Sequence, residues 1–311
     1  MTDDRGGEAP DDFELVIVSY RSRPQVEQLL AGLDPDLPVA VVDNAGGQDG
    51  VLDLVERRPA GRGLDGGGNG FAHAANLGAL SSPYPVVVFL NPDARPTMEV
   101  LTSIVDDVRD DPGLASSAAT PTGGDGRPEL GVGGWEPSVP RALAHAVALH
   151  KLAPRAGLFA RPEPHEQLEV DWTTGACMAV RTETFRALGG FDESYYVYNE
   201  DVSFGRTVRG HGLRQRLRTD LLVPHASGGS GAPSLEMMRL RGASMARYVR
   251  AGRGPAASRV ISSALAAGYL VRVVEQRALR NPGRAAEHMS YVRGVMTGRA
   301  WVAGREVTAG G

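Results

Sequence analysis

The chain has 311 residues, 42% of them apolar, a formal net charge of −4 and one cysteine. That length holds one large core or two small ones, and the charge balance argues against a general nucleic-acid binder. A lone cysteine excludes an internal disulfide and fits the reducing cytoplasm, with Cys177 read as a buried structural thiol.

The acidic start, residues 1–12, lacks a signal-peptide pattern and reads as a disordered tail. A buried strand is expected over Glu14–Tyr20. A helix follows over Pro24–Gly32, with Pro in its first turn and Gly at its end. Pro38–Asp43 is a second strand, Gly61–Gly70 a glycine-rich loop, Phe71–Leu80 an Ala-rich helix, Pro85–Leu90 another buried strand and Thr97–Asp110 a third helix. Strands alternating with helices predict βαβ units and a mainly parallel sheet covered on both faces.

After about residue 120 the pattern changes. Pro121–Pro140 reads as a long Gly- and Pro-rich loop, Arg141–Leu152 as a helix and Ala153–Gln167 as irregular. Val170–Val180 is expected as a strand, Thr182–Leu188 and Glu200–Gly210 as helices, and Leu213–Leu217 and Leu221–His225 as short strands. From Leu235 the pattern is helical, broken at Gly252–Pro255 and Asn281–Gly283. No run approaches about 20 uninterrupted apolar residues, so no transmembrane helix is expected. The best candidate, Val260–Val274, is short and contains Arg272.

In an open α/β sheet, ligands bind beyond the carboxyl ends of the strands. Three predicted strand ends carry polar residues there: Ser19-Tyr20, Asp43-Asn44 and Asn91-Pro92-Asp93. Asp and Asn also end strands because they favour turns, so the shared position counts for more than any single residue. Asp43 suits a nucleobase or ribose contact, and Ser19 and Tyr20 suit the base pocket. Asp93 suits Mg²⁺ or Mn²⁺, hard ions that prefer oxygen, and the strand-ending His225 suits Mn²⁺ better than Mg²⁺. Gly66–Gly70 lets the backbone approach a ligand, with Asn69 and Asn76 as amide donors. Gly61–Gly66 formally matches G-x-G-x-x-G, but no apolar strand leads into it and no helix follows directly, which argues against a dinucleotide site.

Further on, Gly189-Gly190-Phe191-Asp192-Glu193 leads through an aromatic run to Asn199-Glu200-Asp201. Asn199 is placed as an N-cap, and the helix dipole favours the two carboxylates even without catalysis. In the functional reading one of them takes a proton from an attacking hydroxyl. Trp172, Tyr195, Tyr196 and Tyr198 either line the acceptor cleft or pack beneath it.

These motifs, with Asn69-Gly70-Phe71, Asn76, Thr174-Gly175-Ala176-Cys177-Met178 and His225, resemble in order and spacing a family 2 glycosyltransferase of the GT-A fold, from about Phe13 to Ser230. The Asn91-Pro92-Asp93 form is most similar to bacterial rhamnosyltransferases. The resemblance implies inverting transfer of a sugar from a nucleotide-diphosphate donor, dTDP-L-rhamnose, to a lipid-linked or cell-surface glycan acceptor. It implies Asp201 as general base, and Glu200, Trp172 and Tyr198 on the acceptor side. Ser19, Tyr20, Asp43, Asn44, Asn69, Gly70, Asn76, Asn91, Gly175 and Ala176 match positions near the nucleotide-sugar, and Asp93 and His225 match positions at Mg²⁺ or Mn²⁺. Two departures stand out: Ala45-Gly46-Gly47-Gln48-Asp49 follows the Asp-Asn pair, and Asn91 replaces the first Asp of a full D-x-D. The alternatives are a UDP-sugar donor or a small-molecule acceptor, then a nucleotidyltransferase or a non-enzymatic sugar-binding protein.

The expected organisation is a GT-A domain over 13–234, with a nucleotide-sugar half (13–120) and an acceptor half (121–234), then a basic helical extension over 235–311. From Leu235 there are thirteen arginines, no lysine and four glutamates. This points to an anionic partner, such as the inner face of the cell membrane, or simply to Arg-rich solvent-facing helices. A homodimer interface or a lid over the acceptor site are the other roles open to the extension.

Overall fold

The computed structural model describes residues 12–147, 149, 153–161, 165–225 and 234–307; the expected tail lies almost wholly outside them. The apolar runs of the first half form β1 (Phe13–Ser19), α1 (Arg23–Ala31), β2 (Val39–Asp43), β3 (Gly61–Asp65), α2 (Phe71–Leu80), β4 (Val86–Leu90) and α3 (Met98–Asp110). Thr97 caps α3 by accepting from the Val100 N–H, and the helix buries Val100, Leu101, Ile104, Val105 and Val108 at helical spacing. β5 (Leu114–Thr122) follows, then β6 (Gly133–Gly134), α4 (Val139–Ala146), β7 (Gln167–Val170), β8 (Trp172–Thr173), β9 (Cys177–Arg181), α5 (Thr182–Ala187), α6 (Glu200–Gly210) and β10 (Arg214–Pro224). The chain continues with α7 (Ser234–Gly252), α8 (Pro255–Ala278), α9 (Pro282–Thr297) and a small hairpin, β11 (Trp301–Val302) and β12 (Arg305–Glu306).

Eight strands form one sheet in the order β3-β2-β1-β4-β9-β5-β10-β7. All are parallel except β9, which is antiparallel to both β4 and β5, and the edge strand β7. Side chains of a strand alternate between the two faces. Leu15 and Ile17 therefore join Val26, Leu29 and Ile104 on one face, while Val16 joins Ala72, Phe89, Phe185, Phe191 and Phe204 on the other. A third cluster binds the helical C-terminus to the sheet domain: Ala142, Trp172, Tyr195 and Val202 pack with Ala246, Tyr248, Ile261, Leu265 and Tyr291. The C-terminal helices thus share a core with residues 139–202.

Four local expectations change. Gly61–Asp65 is the edge strand β3 rather than loop, pairing in parallel with Val39–Asp43 through backbone bonds that need no side chains. A Cβ at Gly61 would collide with the Val55 carbonyl, which explains a glycine in that strand. The G-x-G-x-x-G match is therefore a strand running into a turn. Val170–Val180 is not one strand: β7, β8 and β9 lie in three places, parted by Asp171 and by the turn at Thr174–Ala176. Leu213–Leu217 and Leu221–His225 fuse into β10, with an irregularity after Arg218 that breaks the alternating pattern. In the stretch expected as loop, β5 extends to Thr122 and β6 pairs with β8. The predicted helix over Arg141–Leu152 runs as α4 to Ala146, and residues 148 and 150–152 lie outside the described part.

α8 departs from the expectation of no membrane-length helix. It has 24 residues and includes an 18-residue stretch with a mean hydropathy of 1.3, long and apolar enough to cross a membrane by length and composition. Its Ile261, Leu265 and Val273 nevertheless pack into the protein, as a core helix's do. Cys177 is fully buried, and burial pushes its thiol up to about 12, so it stays protonated.

Candidate active site

The carboxyl ends of β1, β2 and β4 lie side by side, Ser19 pairing with Asp43 in register. At β1, the Ser19 hydroxyl is buried against that of Ser22 at 2.9 Å. Asp43 is 2% exposed and accepts from the N–H groups of Ala45, at 2.7 Å, and Gly47. It thereby folds the Asn44–Gly47 turn. Asn44 donates its N–H to the Ser19 carbonyl at 2.8 Å and accepts from the Gly70 N–H at 3.3 Å.

Gly70 has φ 103°, and a Cβ there would strike the Tyr196 carbonyl oxygen; that carbonyl accepts the Phe71 N–H at 2.6 Å. Glycine is therefore required where the start of α2 meets the segment leading to Glu200. The Asn91 N–H donates to the Ala176 carbonyl at 2.9 Å, and Gly175 faces the Phe71 ring. A chain of contacts thus links the ends of β2 and β4, the Gly175-Ala176 turn, the start of α2 and Tyr196. Asn69 is exposed in the glycine turn.

Asp93 and His225 come together. His225 pairs across a bridge with Ala94, and its Nε2 lies 3.1 Å from Asp93 Oδ1 and 3.2 Å from Asn91 Nδ2. Its Nδ1 lies 3.2 Å from Glu129 Oε1. Burial, the largest influence on the imidazole, lowers its pKa. The hydrogen bonds and charges of Asp93 and Glu129 outweigh it, and the result is raised. Among the described residues no group of three His, Cys, Asp or Glu side chains could by itself hold a metal ion. The donors present are one carboxylate and one imidazole. They fit an ion that takes most of its ligands from phosphate and water.

Glu200 and Asp201 open α6. The two residues before them, Tyr198 and Asn199, both have left-handed backbones, φ 68° and 69°. Such conformations each cost about 1–3 kcal/mol and persist only where surrounding contacts impose them. Those contacts come from α7. Ser244 Oγ donates to the Val197 carbonyl at 2.9 Å, Arg241 stacks 4.6 Å from the Tyr198 ring centre, and Asn199 rests on Met245. Asn199 occupies the N-cap position, but its side chain makes no capping bond.

Glu200 is 6% exposed, and its Oε2 has no hydrogen-bond partner among the described residues. Burial first, then the neighbouring Asp201 charge, hold its pKa well above the carboxylate range. Asp201 is half-buried and accepts from the Val202 N–H at 2.7 Å. Burial pushes its carboxyl up to about 6, against the lowering effects of backbone N–H groups and of the Arg241 charge. Both neighbouring carboxyls are therefore held above the ordinary carboxylate range, by burial first.

Two expected site residues, Asn76 and Trp172, are committed elsewhere, and Tyr195 takes the core alternative. Asn76 is 3% exposed; it donates to the Phe191 carbonyl (2.8 Å) and Glu193 (2.9 Å) and accepts the Phe191 N–H (2.8 Å). It clamps the Gly190-Phe191 turn, where a Cβ on Gly190 would lie 2.7 Å from its Oδ1. Trp172, 5% exposed, and Tyr195, 2% exposed, are core residues beneath α6 and do not line a cleft. Tyr198 is partly buried under Arg241, while Tyr196 lines an open cavity with Tyr20 and Asn44. Glu129 and Arg241 escaped the sequence reading. Glu129 sits in a Gly- and Pro-rich stretch, and Arg241 is one arginine among many on a helix.

In fold the chain matches solved GT-A glycosyltransferases. A mannosyltransferase from Pyrobaculum calidifontis, in complex with GDP-Man and Mn²⁺, superposes with a TM-score of 0.56 at 17% identity, over 94% of this chain and 90% of that one. TarS of S. aureus, in complex with UDP-GlcNAc, gives 0.50 at 14% identity over 95% of each chain. No family model matches the chain. Relatives in two strains of Mycobacterium tuberculosis, each named N-acetylglucosaminyl-diphospho-decaprenol L-rhamnosyltransferase, are 32% identical over 217 residues, 63% of this chain and 69% of theirs. The chain belongs to the family 2 glycosyltransferases of the GT-A fold, and among them it resembles the rhamnosyltransferases.

Proposed function

We propose that the protein is an inverting rhamnosyltransferase that moves L-rhamnose from dTDP-L-rhamnose to a hydroxyl of a lipid-diphosphate-linked glycan. The observation that carries this reading is the run of contacts joining the strand-end residues Asn44 and Asn91, beside Asp93 and His225, to the segment that presents Glu200 and Asp201. The M. tuberculosis relatives bear a name that specifies both the sugar and a lipid-linked acceptor.

Asp201 takes the proton of the attacking hydroxyl. Attack on the anomeric carbon opposite the nucleoside diphosphate breaks the bond to that leaving group and inverts the centre. Burial disfavours the charged form of Glu200, which lessens negative charge beside the base. Asp93 and His225 would hold Mg²⁺ or Mn²⁺, with Glu129 accepting from Nδ1–H so that the Nε2 lone pair faces the ion. When bound, the ion supplies positive charge to the departing diphosphate.

We place the enzyme at the inner face of the cell membrane. On α8 the exposed side chains Val260, Ala267, Leu270, Val271 and Val274 form one apolar stripe, with exposed Arg259, Arg277 and Arg280 toward its ends. α4 packs on α8, Ala146 against Gly268, and adds exposed Leu143 and Val147. An apolar stripe about 20 Å long with cations at both ends suits a helix lying flat on an anionic bilayer. Flotation with anionic liposomes at low salt tests the placement: the protein is expected in the lipid fraction, Val271→Glu with Val274→Glu is expected to stay behind, and no binding by the native chain contradicts it.

The activity test is release of dTDP from dTDP-L-rhamnose in the presence of an N-acetylglucosaminyl-diphospho-polyprenol. Rhamnosylated lipid with inverted anomeric configuration is expected. Transfer from UDP-sugars but not dTDP-rhamnose contradicts the donor assignment.

A further inference from the structure

A cavity of about 350 Å³ lies beyond the ends of β1 and β2. Tyr20, Arg21, Asn44 and Tyr196 line it, and the glycine turn at Gly67-Gly68 forms one wall with bare backbone. The remaining wall is supplied from the far end of the chain by Val302, Ala303, Arg305 and Val307. Two arginines face this cavity and no carboxylate lines it. Among the described residues neither guanidinium forms an ion pair; Arg21, with a left-handed backbone at φ 51°, lies 5.4 Å from the Tyr20 ring centre.

The hairpin β11–β12 is held firmly where it forms this wall. Ala303 and Gly304, at φ 48° and 80°, make the two-residue turn that matches strand twist. Trp301 lies under Arg239 at 4.7 Å and Arg299 at 5.4 Å, and Arg299 grips Glu306 with two bonds of 2.7 and 2.8 Å. The Val307 N–H donates to the Ala300 carbonyl at 3.1 Å. Val302 and Val307 pack with Val197, Tyr198, Leu240 and Ala243, the same cluster that supports the approach to Glu200. Arg305 is exposed at the cavity, and its charge is felt by the Tyr196 phenol. An anion-seeking cavity with aromatic, amide and bare-backbone walls has the chemistry of a nucleotide site.

We propose that the C-terminal hairpin is the outer wall of the donor pocket, and that Arg305, together with Arg21, binds the nucleoside-phosphate end of the donor. This rests on the transferase reading above and extends it to a segment outside the family motifs. It makes the end of the chain a donor-binding element joined through one small core to the residues that carry the base.

Calorimetric titration of the full chain with dTDP, with and without Mn²⁺, tests it. Arg305→Ala is expected to weaken dTDP binding at least tenfold, Arg305→Lys to recover part of the loss and Arg305→Glu to weaken it further, all with unchanged thermal melting. Donor KM rises with Kd. Native affinity in Arg305→Ala and Arg305→Glu overturns the hairpin's role while leaving the transferase reading intact. A native chain that binds no nucleoside diphosphate overturns both.

Discussion

The two sides of the candidate site are built in different ways. On the donor side, Asp43, Asn44 and Asn91 stand at the ends of the two strands that flank β1, and their positions follow from strand register and short backbone hydrogen bonds. On the side of the proposed base, Glu200 and Asp201 follow two residues with left-handed backbones, Tyr198 and Asn199, and α7 holds that segment with Ser244, Arg241 and Met245. These strand-end contacts are local to the sheet, whereas the outer wall of the donor cavity comes from the β11–β12 hairpin. The base side depends on helices some forty residues further along the chain. A layer that looks like an appendage in sequence shapes the segment that carries Glu200 and Asp201.

The arginines of that layer carry the same lesson. Arg239, Arg241, Arg247 and Arg272 lie over Trp301, Tyr198, Tyr195 and Tyr269, and Arg253 reaches Glu136. Contacts of guanidinium with aromatic faces contribute about 0.5–2 kcal/mol each. Much of the basic character therefore binds the extension to the domain and to itself, leaving fewer cations for an anionic partner.

The largest expected effect separates the two sides outright. Asp201→Asn is expected to lower turnover about a thousandfold, within the range for losing a general base, while dTDP binding stays at the native level. Loss of dTDP binding in that variant breaks the division. Asp93→Ala reaches the donor side: metal-dependent dTDP affinity is expected to fall tenfold or more by calorimetry, and an unchanged metal titration removes Asp93 from the ion. Asn76→Ala sharpens the boundary. It leaves the buried N–H and carbonyl of Phe191 without their partner, so stability is expected to drop by about 2 kcal/mol in denaturant titration. Its dTDP affinity is expected to be native, and a weakened Kd returns Asn76 to the donor pocket.

Legibility in the sequence follows the same division. α2 and α6 fall on their predicted bounds because apolar spacing and flanking glycines mark them locally. The strand-end residues were readable for the same reason. β3 was not, since its glycines answer to Val55 and Leu52 across space, and neither was the β11–β12 hairpin, whose four paired residues carry no periodic signal. Trp172 and Asn76 were placed at the site by type and motif, but burial and partner decide their roles, and both depend on tertiary packing. Arg241 has no local signal at all.

If Asp201 is the base and α7 tunes it through Arg241, the pH dependence of turnover in the native enzyme and in Arg241→Ala will show it. A base pushed up to about 6 must lose its proton to act, so turnover is expected to fall tenfold per pH unit below that value. The fold also holds this proton more tightly than the unfolded chain does, so stability is expected to decline as pH rises from about 3.8 to about 6. Removing the Arg241 charge, which lowers the Asp201 pKa, is expected to move the acid limb of the rate profile to higher pH. A limb that stays in place in Arg241→Ala removes Arg241 from that role, and a native profile flat through pH 6 removes Asp201 as the base.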